Sequence, residues 1–336
     1  MKEMTARERF HAIVEFQPFD RLPVIEWASW WDQTIARWHG EGLPADLADR
    51  YAINEYFGQE VYWQDWFPVI APGAPAPAFH GAGILKDMDG YRRLRPFFFQ
   101  ILDRWPLDPD AWQAAAARQR SGDIVVWFSL EGFFWFARTL LGIEPHLYAF
   151  YDQPELLHQI NSDLADWMER IVDRACGYCI PDFMTFAEDM SYNNGPMLSE
   201  ACFDEFMLPY YKRIVPRLLD RGIVPIIDSD GDISLAAPWF ERAGLRGILP
   251  LERQAGVDLA VLRRDHPRMV WMGAFDKMTM ARGEEAMAAE FERLLPVARG
   301  GGVIVSVDHQ TPPEVSLDQY RIFLRLFREF AVKAAR

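Results

Sequence analysis

The chain has 336 residues, half of them hydrophobic and a quarter charged, the composition of a soluble globular protein with length enough for one large core. Its 49 acidic residues against 35 Lys plus Arg leave a formal charge of -14, which lacks the basic footprint that nucleic acid or an anionic membrane surface requires. The opening MKEMTARERFHAIVEF is charged every few residues, no apolar run reaches the length of a membrane span, and three Cys are too few for a disulfide framework, so a cytoplasmic protein without a signal peptide is expected.

In chain order, Thr5 followed by Glu8 forms a capping-box pattern that opens a first helix, part of an N-terminal helical extension over residues 1–20. Short apolar runs then recur at Leu22–Trp27, Val61–Trp66, Ile124–Ser129, Phe183–Glu188, Ile223–Asp228, Gly247–Leu251, Met269–Gly273 and Val303–Asp308. Continuous apolar runs of this length read as parallel strands covered on both faces. Between them lie helical stretches: a loop and helix in WASWWDQTIARWHGEGLP, then Trp112–Arg120, Pro154–Cys176, Cys202–Leu219, Pro238–Ala243, Leu259–Arg264, Glu284–Val297 and Leu317–Ala335. The Pro, Gly and Ala of APGAPAPAFHGAG (71–83) predict a long surface loop. Alternating strands and helices predict parallel pairing with right-handed crossovers. No G-x-G-x-x-G follows any strand, so a (β/α)8 TIM barrel in a single domain is expected rather than an open doubly wound sheet.

Most of the runs end in acid: Glu26, Asp65, Glu131, Glu188 with Asp189, Asp228 with Asp230, Glu252, Asp276, and Asp308 with His309. The C-terminal ends of barrel strands are where such folds keep their chemistry. Asp228 and Asp230 read as a metal site or an acid/base pair, against the blander alternative of a turn whose Asp and Ser only cap. Glu188, Asp189 and His309 are candidate catalytic groups, because carboxylates crowded together shift their pKa values and histidine titrates near neutrality. Trp27, Trp30 and Trp31, with Glu252 and Asp276, are candidate substrate-binding residues, although the aromatic stretch also fits plain core packing. Cys176 and Cys179 form one C-x-x-C before a strand, away from the strand ends that carry acid, and read as structural.

Taken together these segments resemble the uroporphyrinogen decarboxylase superfamily over nearly the full length. The resemblance rests on TARERFHAIVEFQPFDRLPV, FAEDMSYNNGPMLSEACFDEFMLPYYKRIV, IIDSDGDI, GILPLERQAGVDLAVLR, GAFDK and GGVIVSVDHQTPPEV, in that order. It implies a (β/α)8 barrel and one of two activities: decarboxylation of a tetrapyrrole's acetate side chains, or methyl transfer to and from a corrinoid protein. The decarboxylases' Arg-rich R-Q-A-G-R stretch is replaced here by Ala28-Ser29-Trp30-Trp31-Asp32-Gln33, with only Arg37 near, while their late His matches His309. The methyltransferases' zinc ligands, H-x-C and a later Cys, match Asp228, Asp230 and either Asp308 or His309, an oxygen-and-nitrogen set without thiolate.

The resemblance therefore implies an enzyme of corrinoid-linked one-carbon metabolism, acting on a small molecule with a divalent metal (zinc or another) and a corrinoid supplied by a partner protein. The alternatives are a decarboxylase or lyase acting on a carboxylated substrate, and a non-catalytic tetrapyrrole-binding protein. A homodimer is compatible with either enzyme reading.

Overall fold

The computed structural model describes residues 3–100 and 108–335. In chain order the elements are α1 (Ala6–Val14), α2 (Asp32–Gly40), α3 (Arg50–Tyr56), β1 (Val61–Phe67), α4 (Met88–Leu94), α5 (Pro109–Ser121), β2 (Ile124–Glu131), α6 (Phe133–Leu141), α7 (Ile143–Asp152) and α8 (Pro154–Cys176). There follow β3 (Phe183–Ala187), a two-residue hairpin of β4 (Ser191–Tyr192) and β5 (Gly195–Pro196), α9 (Glu200–Phe206), α10 (Leu208–Leu219), β6 (Val224–Asp228), α11 (Ala237–Ala243), β7 (Gly247–Leu249), α12 (Leu259–Asp265), β8 (Val270–Phe275), α13 (Glu284–Ala298), β9 (Val303–Val307) and α14 (Leu317–Ala334). The class is α/β, as the alternating pattern predicts, and no helix among the described residues is long and apolar enough to cross a membrane.

The chain divides into two compact units. One comprises Gln64–Ala116 and Val126–Arg246. Within it β2, β3 and β6 pair in parallel, with Trp127 beside Phe183 and Glu131 beside Ala187, then Phe183 beside Val224 and Ala187 beside Asp228. The other comprises Met1–Trp63, Ala117–Val125 and Gly247–Arg336. Within it β7, β8 and β9 pair in parallel, from Gly247 beside Val270 to Phe275 beside Val307. Every residue of β3, β8 and β9 is buried. Strands covered on both faces have no polar face to present, which is why they read as unbroken apolar runs.

Local signals account for most element ends. Thr5 closes the capping box of α1: its hydroxyl accepts from the Glu8 amide at 3.2 Å, and the Glu8 carboxylate accepts from the Thr5 amide at 2.8 Å. Helix α8 runs from Pro154 to Cys176 as expected, with Leu156, Leu157, Ile160, Leu164 and Met168 all buried on one stripe.

Two expectations are corrected. The segment Leu22–Trp27 is not a strand. Pro23 has no amide hydrogen to give to a ladder, and the neighbouring backbone groups are spent elsewhere: Leu22 donates to the Ala331 carbonyl, Val24 accepts from Glu60, and Trp27 donates to the Ser306 hydroxyl. An eighth strand is therefore missing among the described residues. The helix expected over Cys202–Leu219 is two, α9 and α10, broken at Met207. Pro209 lies in the first turn of α10, where a missing amide is harmless, and would clash with the carbonyl four residues back if the helix ran through.

Candidate active site

In the unit that holds β3 and β6, the residues after those two strands are stitched together by backbone. The Asp228 carbonyl accepts from Glu188 N at 2.8 Å and Asp189 N at 3.3 Å. The buried Ser229 hydroxyl accepts from Met190 N at 3.1 Å, and Asp232 N donates to the Tyr192 carbonyl at 2.9 Å. Gly231, at φ +82°, lies so close to Ser191 and Tyr192 that a Cβ there would stand 2.7 Å from their backbone atoms. This closeness brings Asp189, Asp228 and Asp230 into electrostatic contact.

The carboxyls at the strand ends differ sharply in what holds them. Glu188 is fully buried, and its two oxygens accept from the amides of Phe133 at 2.8 Å, Phe134 at 2.7 Å and Trp135 at 3.2 Å, and from the Tyr211 hydroxyl. It thereby caps the first turn of α6 from another strand, taking the place of a side-chain cap that Gly132 cannot supply. Burial pushes its pKa up to about 7 against the opposing pull of those donors. Gly132 is needed there, since a Cβ would stand 2.1 Å from the Glu188 carboxyl carbon. Asp228 differs: it is half-buried, and no side-chain hydrogen bond engages its carboxyl. Its pKa is driven well above the ordinary range, by burial first, then by Asp230 and Asp189. Asp189 itself stands at φ +45°, a conformation that Asp tolerates better than most residues. Glu131, at the end of β2, is pushed up to about 7 by burial, and one of its oxygens has no partner.

In the other unit, Asp308 is completely buried and accepts from the amides of Arg253 at 3.0 Å and Lys277 at 3.2 Å. It ties down the segments that follow β7 and β8. Burial lifts its pKa to about 6, opposed by the Lys277 charge and those two amides. Asp276 caps the turn after β8 through Met278 N at 2.9 Å and also takes the Gln254 amide at 2.7 Å. Glu252 stands 3.7 Å from the Lys277 ammonium. The Trp27 indole donates to the Val307 carbonyl at 2.8 Å and meets the His309 ring edge-on, 6.1 Å between centroids. Trp30 is packed into an aromatic cluster with Trp38, Phe57 and Tyr320, whereas Trp31 is 44% exposed at the start of α2. Arg37, the cation nearest the lost Arg-rich stretch, is committed to Glu41 and the Pro313 carbonyl.

Two further buried groups stand out, the strand-end acid Glu26 and Tyr211, which the sequence did not single out. Glu26 accepts from the Ser306 hydroxyl at 3.0 Å, its second oxygen has no partner, and burial drives its pKa well up. Tyr211 gives its hydroxyl to Glu188 from within α10, where its helical spacing made it one more apolar residue. The Cys176 thiol is pushed up by burial, which disfavours the reactive thiolate.

Among the described residues no three His, Cys, Asp or Glu side chains gather closely enough to hold a metal. Each Asp308 oxygen already accepts one backbone amide.

An α/β chain with acids at the ends of parallel strands matches the family model for uroporphyrinogen decarboxylase (URO-D) over residues 129–330, and the chain belongs to that family. It is 26% identical over 191 residues to a uroporphyrinogen decarboxylase of Pseudomonas fluorescens, a match covering 54% of this chain and 51% of the relative. The chain thus spans about half the length of the curated relative it matches. Among solved structures it is similar in fold to a methyltransferase from Methanosarcina mazei, with a TM-score of 0.68 at 16% identity, covering 98% of this chain and 99% of the other.

Proposed function

We propose that this chain is an acid–base enzyme of the uroporphyrinogen decarboxylase family that removes a carboxyl group from a carboxylated substrate without a metal, with Asp228 as the proton donor. The observation that carries this reading is the contrast between Asp228 and the other strand-end acids. Glu188 and Asp308 spend their oxygens on backbone amides, while the Asp228 carboxyl is half-buried, has no hydrogen-bonded partner and has a strongly raised pKa. A perturbed carboxyl that is not tied into the fold is a natural general acid. Loss of carbon dioxide leaves its electron pair on the substrate carbon. The Asp228 proton is transferred to that carbon, and the resulting carboxylate regains a proton from water. Asp189 and Asp230 keep the Asp228 proton in place beforehand, because a further negative charge beside them is costly.

A panel of carboxylated substrates incubated anaerobically in deuterated water tests this. Carbon dioxide release with one deuterium in the product, lost in Asp228→Asn, is expected. Undiminished turnover in Asp228→Asn overturns the reading.

A second reading, methyl transfer with a corrinoid protein, is supported by the fold shared with the Methanosarcina mazei methyltransferase along almost the whole chain. Demethylation of methylcobalamin by the purified protein is the outcome that favours it.

A further inference from the structure

The decarboxylation reading requires something to hold the substrate, and a cation lies against the same strand ends. We propose that Arg138 is the anchor for a carboxylate of the substrate, one that remains after the reaction. This rests on the reading of Asp228 as the proton donor and extends it to the class of molecule bound: a small anion carrying one or two carboxylates, not an octacarboxylate.

Arg138 interrupts the apolar helix FFWFARTLL. Its Nη1 donates to the Asp189 carbonyl at 2.9 Å. Its Nη2 stands 3.8 Å from the Asp189 carboxylate, beyond hydrogen-bond reach. The guanidinium lies over the Trp135 ring at 4.5 Å, which fixes its plane. A guanidinium carries five N–H groups in a rigid fork, and this one spends a single N–H on the carbonyl.

After burial, the Arg138 charge helps to push the His146 pKa down to about 3. The Arg138 side chain is 17% exposed and that of its neighbour Asp189 36%. Asp189 is the neighbour shared with the proton donor, because its carbonyl engages Arg138 and its amide engages the Asp228 carbonyl. Asp189 thus joins the Arg138 fork to the backbone of the proton donor. One fork grips one carboxylate in bidentate fashion, which suits a small substrate where the family's Arg-rich stretch is absent.

Benzoate, with neutral benzamide as control, is the probe, and binding is read by calorimetry on the full chain. Benzoate is expected to bind with a Kd on the order of 1 mM, and benzamide to bind far more weakly. Arg138→Met is expected to weaken benzoate about tenfold or more, with Arg138→Lys in between because the charge survives but the fork does not. Circular dichroism and the unfolding midpoint establish that both variants are folded, and Arg138→Lys carries the test if Arg138→Met does not fold. Asp228→Asn is expected to keep benzoate binding, which separates the two readings. Lost turnover in Asp228→Asn with benzoate binding indifferent to Arg138 sinks the anchor alone. Absence of benzoate binding at about 50 mM, or equal binding of benzamide, also overturns it.

Discussion

Replacing Glu188 with Gln separates the structural from the chemical reading of the strand-end acids. Gln keeps the volume but has one acceptor oxygen and one NH2, so one end of the side chain must face donors with a donor. Either the Phe133 amide and Tyr211 hydroxyl or the Phe134 and Trp135 amides lose their acceptor. Buried donors left unpaired cost about 1–3 kcal/mol. The wild-type carboxyl adds a pH dependence. Its folded pKa, about 7, lies above the ordinary glutamate value of 4.5. The folded chain therefore binds more protons than the unfolded one between those values, so this stability is fully present below the lower value and lost as pH rises through the upper. The loss is about 3 kcal/mol. Gln does not titrate and carries no such pH dependence. Urea unfolding followed by tryptophan fluorescence should find the variant less stable by about 1–3 kcal/mol near pH 5, with the gap closing or reversing by about pH 8. A gap that stays constant across that range, or widens toward alkaline pH, refutes the assignment of Glu188 as a buried, reluctantly ionised cap.

Three further outcomes follow from the same geometry. Gly132→Ala pushes a Cβ to within 2.4 Å of both Glu188 oxygens, which three amides hold in place, and should cost about 2–3 kcal/mol in unfolding experiments. Ser306→Ala removes the hydroxyl that bonds the buried Glu26 carboxyl and should cost about 1–2 kcal/mol, read as a lowered denaturation midpoint. Protein exposed to zinc and then exchanged into metal-free buffer should retain less than a stoichiometric amount by elemental analysis, and one tightly held zinc per chain would restore the metal reading of Asp228 and Asp230.

The strands announced themselves because burial on both faces leaves no reason for a polar residue until the strand ends, as at Phe183–Ala187 followed by Glu188. Helix α8 was legible to the residue from Pro154 and its apolar stripe. Helix α6 was not, because the nine residues FFWFARTLL are short and mostly apolar and follow an apolar strand after only Gly132. Leu22–Trp27 has the composition of a strand, and its backbone partners, set by distant packing, decide otherwise. The acids were found, but not their division of labour. The amides that occupy Glu188 lie 53 to 55 positions away, and the Arg253 amide on Asp308 also lies 55 away, so nothing local separates a cap from a proton donor. Arg138 left one signal in the sequence, a lone cation within an apolar helix just after a strand-end acid.

The central claim is that Asp228 keeps its proton where an ordinary aspartate has lost it. Carbon-13 NMR of aspartate-labelled protein, with Asp228→Asn to assign the resonance, measures this without knowledge of the substrate. Burial together with Asp230 and Asp189 predicts a carboxyl that titrates well above the ordinary value of 3.8. Titration of Asp228 in the usual aspartate range, about 4, would contradict the account.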